Sequence, residues 1–456
     1  MKKSIILFII FLILGMVSYI IFNTMISSIF FIISSISITY YFYTKKDTIK
    51  DITESNTKLI SFVLTFILLA VVFFYISFFI KNHIDLSKNK IKDYESPVEL
   101  VAISTYSESD AELSLQSYKS QMKDTSLVIV KNNSDISLRS STLEKYEGDS
   151  TNCDYSNLYG LNALYLNKSG SHSLLNTVTI TSEVKCGIPL FAAGEKSIID
   201  IEDSKVVSKS YNDTAAVSVT QGGEINGNNV TILTKGKNSP ALRILDNSSI
   251  NLQNSLLSTN SSNSPIIYTD GLVTLKNVTG TSDQSQMLYL KDKGEVNIES
   301  SSFLTGGRGD SIDSHSAINI TGENTLRITD STININNKNL YYEVSSMFYI
   351  KDAKTNIYLT NSSFNTGSNI FLKSINSNIK IDLKDEDIKG DIINTDSNIE
   401  LNLVNSKYTG DLNGVSLTLD ENSHITLTKD TTLKELHNKV EDNSNIDLNG
   451  YNLTVK

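Results

Sequence analysis

The chain has 456 residues, no Trp, only 4 Pro and 40% hydrophobic residues, with Asn, Ser, Thr and Ile crowding its second half. Its formal charge is -10, split unevenly: ten lysines against six acids give residues 1–96 a charge of +4, which leaves -14 for the remaining 360. A mildly acidic body of that size is a poor electrostatic match for nucleic acid, which is excluded as a partner.

Ser4 to Thr44 carry no charge. One helix of that length would be about twice as long as the ~30 Å hydrocarbon core of a bilayer. Two spans, 4–22 and 25–43, meeting near Asn23-Thr24, are the better reading, and the uncharged run 59–80 between Lys58 and Lys81 predicts a third. A cleaved signal peptide is the alternative for 4–22. Lys2, Lys3, Lys45, Lys46, Lys50 and Lys58 place the N-terminus inside, so the expectation is a multi-pass anchor (1–80) in contact with membrane lipid, a short stalk (81–96) and an extracellular domain over 97–456.

From about residue 100 onward one pattern recurs. In Ala241 to Ser258, Leu242-Arg243-Ile244 alternates apolar and polar residues, Asp246 to Ser249 break the alternation, and Ile250-Asn251-Leu252 resumes it before Asn254-Ser255. That reads as strand, turn, strand, turn. The Leu242 position is matched by Leu164, Leu190, Val217, Ile267, Leu288, Ile318, Phe348, Phe371 and Ile393, at intervals of 21 to 30 residues. A period of this length with β alternation predicts a β-solenoid whose coils stack over one continuous core. The small polar pairs Asn254-Ser255, Ser300-Ser301, Asp330-Ser331 and Asn361-Ser362 suit a left-handed corner, and stacking can extend their hydrogen bonds into a ladder.

If Leu164 and Leu166 share the inner face, Tyr165 points out, and alignment puts Phe191, Ser218, Arg243, Tyr268, Tyr289, Asn319 and Tyr349 in the same outward row. An aromatic and polar stripe is a surface on which a linear polysaccharide can stack, with Arg243 and Asn319 as hydrogen-bonding groups; it is also ordinary for a half-exposed strand to carry Tyr. Cys153 and Cys186 precede neighbouring strands, which leaves a disulfide and two free thiols both open. Asp310, Asp313 and His315 read as a solvated polar loop, and the five His lack zinc spacing, so no metal or cofactor is implied.

The succession Met347-Phe348-Tyr349-Ile350, Ile357-Tyr358-Leu359-Thr360-Asn361-Ser362, Lys389-Gly390-Asp391-Ile392 and the ending Val415–Asp420, Ile425–Thr428 and Asn445–Tyr451 resemble the right-handed parallel β-helix of the pectate-lyase-like superfamily. More narrowly they resemble bacterial surface or secreted members of largely uncharacterised function. The resemblance implies an all-β ectodomain over 97–456 but carries no catalytic motif: the lyases use outward Asp clusters for calcium and an Arg or Lys base, and the matching row here is Tyr, Phe, Ser, Arg and Asn. The reading is therefore a non-catalytic glycan-binding or adhesin-like module. The alternatives are a polysaccharide lyase or hydrolase, which would show two or three carboxylates on one outward face, and a structural envelope spacer without ligand.

Overall fold

The computed structural model describes residues 96–456, positions 339 and 341 apart. A typical coil is three strands long, and its strands pair in parallel with their counterparts one coil before and one coil after. Leu242–Ile244 lies between Val217–Thr220 and Ile267–Thr269, with Leu242 in register with Val217 and Ile267. The second strand, Ser249–Gln253, lies between Glu224–Asn228 and Leu272–Lys276. The third, Leu256–Thr259, lies between Thr231–Thr234 and Thr279–Ser282. First and second strands share one sheet because two coils run them together, over Ser316–Thr329 and Ser346–Thr360; third strands form a ten-stranded sheet up to Ser363–Asn365 and a four-stranded one from Asp387–Lys389 on. This is a parallel β-helix.

Alternation fills the tube. Leu242, Ile244, Ile250, Leu252 and Leu257 point inward at 1% exposure or less, and inward residues of successive coils form one apolar cluster from Tyr118 to Leu433. No coil can bury its apolar face alone, so stacking is what stabilises each. Asn254, Asn277, Ser300, Asp330 and Asn361 all have φ near +50°. Asn and Asp tolerate that region at little cost, which keeps the corner sharp without glycine. Coil-to-coil bonds follow: Asn277 Nδ2 donates to Asn254 Oδ1 at 2.7 Å, and Asn254 Nδ2 to Asn228 Oδ1 at 2.8 Å. Beside them the Val278, Ser301 and Ser331 N–H groups donate to the hydroxyls of Ser301, Ser331 and Ser362. Glu386 takes over the serine place, its Oε1 accepting from the Ser362 N–H at 2.9 Å.

Three expected inward positions are off by one. Leu190 pairs with Tyr165 rather than Leu164, and Phe348 with Leu372, which pairs with Ile392, rather than with Phe371 and Ile393. Leu164-Tyr165-Leu166 is apolar in both phases, so it holds no register information. Its outer side is itself covered, Leu166 packing with Ile129, Ala163, Ile188, Phe191 and Ala193. At Phe371 an irregularity between Ile370 and Leu372 lets Phe371 turn inward as well, at 1% exposure, and leaves Ile393 outward.

The fold class is corrected at its helical part. The expected spans 4–22, 25–43 and 59–80, and all but the last residue of the 81–96 stalk, lie outside the described residues. Among the described residues no helix is long and apolar enough to cross a membrane. Their one α-helix, Cys153–Tyr159 (α1), has 7 residues where a span needs about 20. What the structure supports is the all-β solenoid, and the multi-pass membrane localisation is withdrawn with the spans on which it rested.

Candidate functional site

The outward row of the first strands runs Leu166, Phe191, Ser218, Arg243, Tyr268, Tyr289, Asn319, Tyr349 and Lys373, each in register with the next. Seven of the eight residues expected in the row lie in it. Tyr165 does not: it is fully buried inside the tube, its hydroxyl donating to Ser173 Oγ at 2.9 Å, which satisfies the polar tip of an otherwise apolar ring.

Two segments cover the ends of the row. On the N-terminal side α1 lies over it. Asn152 caps α1 by accepting the Tyr155 N–H at 3.0 Å, and Gly160, at φ +74°, ends it. A disulfide joins Cys153 to Cys186 on the next coil, with Cα atoms 5.3 Å apart. Under this flap Phe191 is fully buried, and Ser218 is buried as well. The Arg243 guanidinium donates to Asn157 Oδ1 of α1, and burial holds its pKa below the usual value. On the C-terminal side the segment 306–315 reaches over the row. Asp313 meets Lys373 at 2.8 Å, and Asn319 and Tyr349 are 5% and 7% exposed. His315 is not in a solvated loop: it is 6% exposed and its Nδ1 accepts the Gly309 N–H at 3.1 Å.

Between the flaps Tyr268 and Tyr289 remain half-exposed, ring centroids 5.4 Å apart and planes 20° from parallel. Coplanar rings cannot approach so closely, so each presents a face to the other along the tube axis, and edges and hydroxyls reach outward. Lys291 sits over Tyr268, 5.4 Å from its centroid, with Asp270 and Asp292 at 3.8 and 3.4 Å. Burial works against the Lys291 ammonium, but Tyr268, Asp270 and Asp292 outweigh it and raise its pKa. The row alignment contains the tyrosines but not Lys291, which sits at the corner after the strand.

A second constellation was missed. On the outer side of the second strands, His172 bridges Asp135 Oδ1 at 3.1 Å through Nδ1 and Asp200 Oδ2 at 2.9 Å through Nε2. Asn226 donates to Asp200 Oδ1 at 3.0 Å and to Glu224 Oε1 at 2.8 Å. The signal in the sequence is the alignment of second strands, which puts Asp135 and His172 side by side. Among the described residues no group of three or more His, Cys, Asp or Glu is placed to hold a metal ion. Several coils further along the tube, between first and second strands, a shallow depression of about 600 Å³ is lined by Glu323, Asp352, Asn376 and Asp396.

Fold and row together define a parallel β-helix with one outward strip left open between two flaps. No family model, no curated protein and no solved structure matches the chain.

Proposed function

We propose that the β-helix binds a linear carbohydrate chain along the open strip. The observation that supports this is the Tyr268–Tyr289 pair, two phenols on adjacent coils with Lys291, Asp270 and Asp292 beside them. Sugar hydroxyls are donors and acceptors at once, and so is a phenol, while the flanking ammonium and carboxylates supply the stronger charge-assisted partners. The two phenols stand on adjacent coils, ~4.8 Å apart along the axis, so successive hydroxyls of a linear chain can meet both. The same reading takes the likeness to right-handed, pectate-lyase-like bacterial surface proteins as a likeness of architecture, with recognition rather than cleavage as the activity. Affinity electrophoresis of the protein through gels cast with neutral, acidic and amino polysaccharides tests it: retardation in at least one gel is expected, and free migration in all of them overturns the proposal.

A second reading, a polysaccharide lyase or hydrolase, draws on the carboxylates gathered at His172. Both Asp135 and Asp200 are engaged with the ring, which favours a staple between coils over a free acid and base. Release of reducing or unsaturated ends from any retarding polysaccharide would reverse that preference.

A further inference from the structure

Lys145 ends the third strand Thr142–Lys145 and points into the tube, where the next coils carry Ser182, Ser208 and Thr234. Its side chain is fully buried. Nζ meets three oxygens: Met122 O at 2.8 Å, Thr125 O at 2.7 Å and the side-chain Oδ1 of Asn162. Asn162 is 1% exposed, and its Nδ2 donates to Gly148 O at 3.0 Å. The carboxylates whose charge reaches Lys145 are Asp124 and Asp149, and both are held by other donors. Asp124 accepts from Ser150 and Thr151, and Asp149 from the Lys185 N–H.

Burial pushes the Lys145 amine down to about 8, because desolvation disfavours the charged form more than Asp124 and Asp149 favour it. A neutral amine has two N–H bonds and one lone pair. As an ammonium the nitrogen donates to all three oxygens; loss of the proton it gives to Asn162 Oδ1 leaves a lone pair beside that carboxamide, with the other two N–H groups still held by Met122 O and Thr125 O. Buried, desolvated lysines of lowered pKa are the ones that act as nucleophiles.

We propose that Lys145 and Asn162 form an intramolecular isopeptide bond. Nζ attacks Cγ of Asn162, the Cγ–Nδ2 bond breaks, one Nζ proton passes to Nδ2, and Nδ2 leaves as ammonia. An amide joins the two side chains, and no oxidant, reductant or cofactor enters the balance. Holding amine and carboxamide in contact replaces a bimolecular encounter, the main obstacle to amide exchange at neutral pH. Exclusion of water protects the product from hydrolysis. The bond would close residues 146–161, including α1, into a covalent loop beside the disulfide.

The test is the intact mass of the full chain after incubation at pH 8 to 9 and reduction of Cys153–Cys186. A mass one ammonia below that of the sequence is expected, with a branched peptide joining Lys145 to Asn162 after digestion. The variants Lys145→Arg and Asn162→Ala should each restore the full sequence mass. Cleavage within 146–161 under reducing conditions should leave the wild type as one band on a denaturing gel and split both variants. A wild-type mass equal to the sequence, with the Lys145 peptide recovered unlinked, overturns the proposal and leaves Lys145 as an ammonium bound by three carbonyl oxygens.

Discussion

Tyr268 and Tyr289 stand in register on adjacent strands and spend a face of each ring on the other, at 5.4 Å between centroids. What they offer outward is phenol edge, so the proposed binding depends on the hydroxyls more than on ring area. Replacing both residues with Phe should weaken binding of any retarding polysaccharide about as much as replacing both with Ser. At about 1 kcal/mol per lost hydrogen bond, the double change corresponds to roughly thirtyfold in Kd. Titration calorimetry on the two double variants measures it; a Tyr-to-Phe variant that binds like the wild type would mean that ring faces carry the affinity after all.

Tyr349 belongs to the same row but lies under the 306–315 segment at 7% exposure. Its change to Ser should lower the thermal midpoint and leave carbohydrate binding nearly unchanged, the reverse of the outcome at Tyr268 and Tyr289. Parallel thermal melts and binding curves separate the two cases.

Phe348 is fully buried and packs edge-on to Phe371, centroids 5.2 Å apart, with Phe364 at 6.2 Å. Phe348→Ala should cost about 3–5 kcal/mol in denaturant unfolding, as cavity creation adds to lost transfer energy. Phe348→Asp, which buries a charge with no partner, should prevent folding of the domain.

His172 and Glu386 each contribute to the pH dependence of stability. Burial opposes protonation of His172, but its bonds to Asp200 and Asp135 and their charges outweigh that and raise its pKa above the usual 6.5. A raised histidine stabilises the fold fully below its unfolded pKa and loses that contribution as pH climbs through the folded value. The thermal midpoint should therefore fall as pH is raised above 6.5, and His172→Gln should flatten that part of the profile. Both curves come from melts at constant ionic strength.

Glu386, 3% exposed with Oε2 unpartnered, is pushed up to about 7 by burial, with Asp385 adding to it against the bond from the Ser362 N–H. The folded state keeps the proton where the unfolded chain has lost it, so the Glu386 contribution to stability should decline between about pH 4.5 and 7 and then level. Glu386→Ser restores the residue that neighbouring coils use in this ladder. That variant should show a shallower decline in this window and melt higher than the wild type at pH 7; an unchanged slope would place the titration elsewhere.

The sequence by itself determined what repeats locally. Period-2 alternation at Leu242-Arg243-Ile244 and Ile250-Asn251-Leu252 decides which side chains enter the tube, and Asn254 and Asn361 mark corners because few other residues accept left-handed backbone cheaply. Tertiary structure decided what covers the outside. Phe191 and Arg243 lie under α1, and Asn319 and Tyr349 under 306–315, through contacts between residues tens of positions apart that no strand pattern encodes. The same holds for Tyr165, whose phase was undecidable while both neighbours were leucine, and became inward once a second apolar cluster claimed the outer face. Lys145 and Asn162 meet for a like reason: the loop between them returns to the next coil, and burial, a property of the assembled tube, is what turns a lysine and an asparagine into a reactive pair.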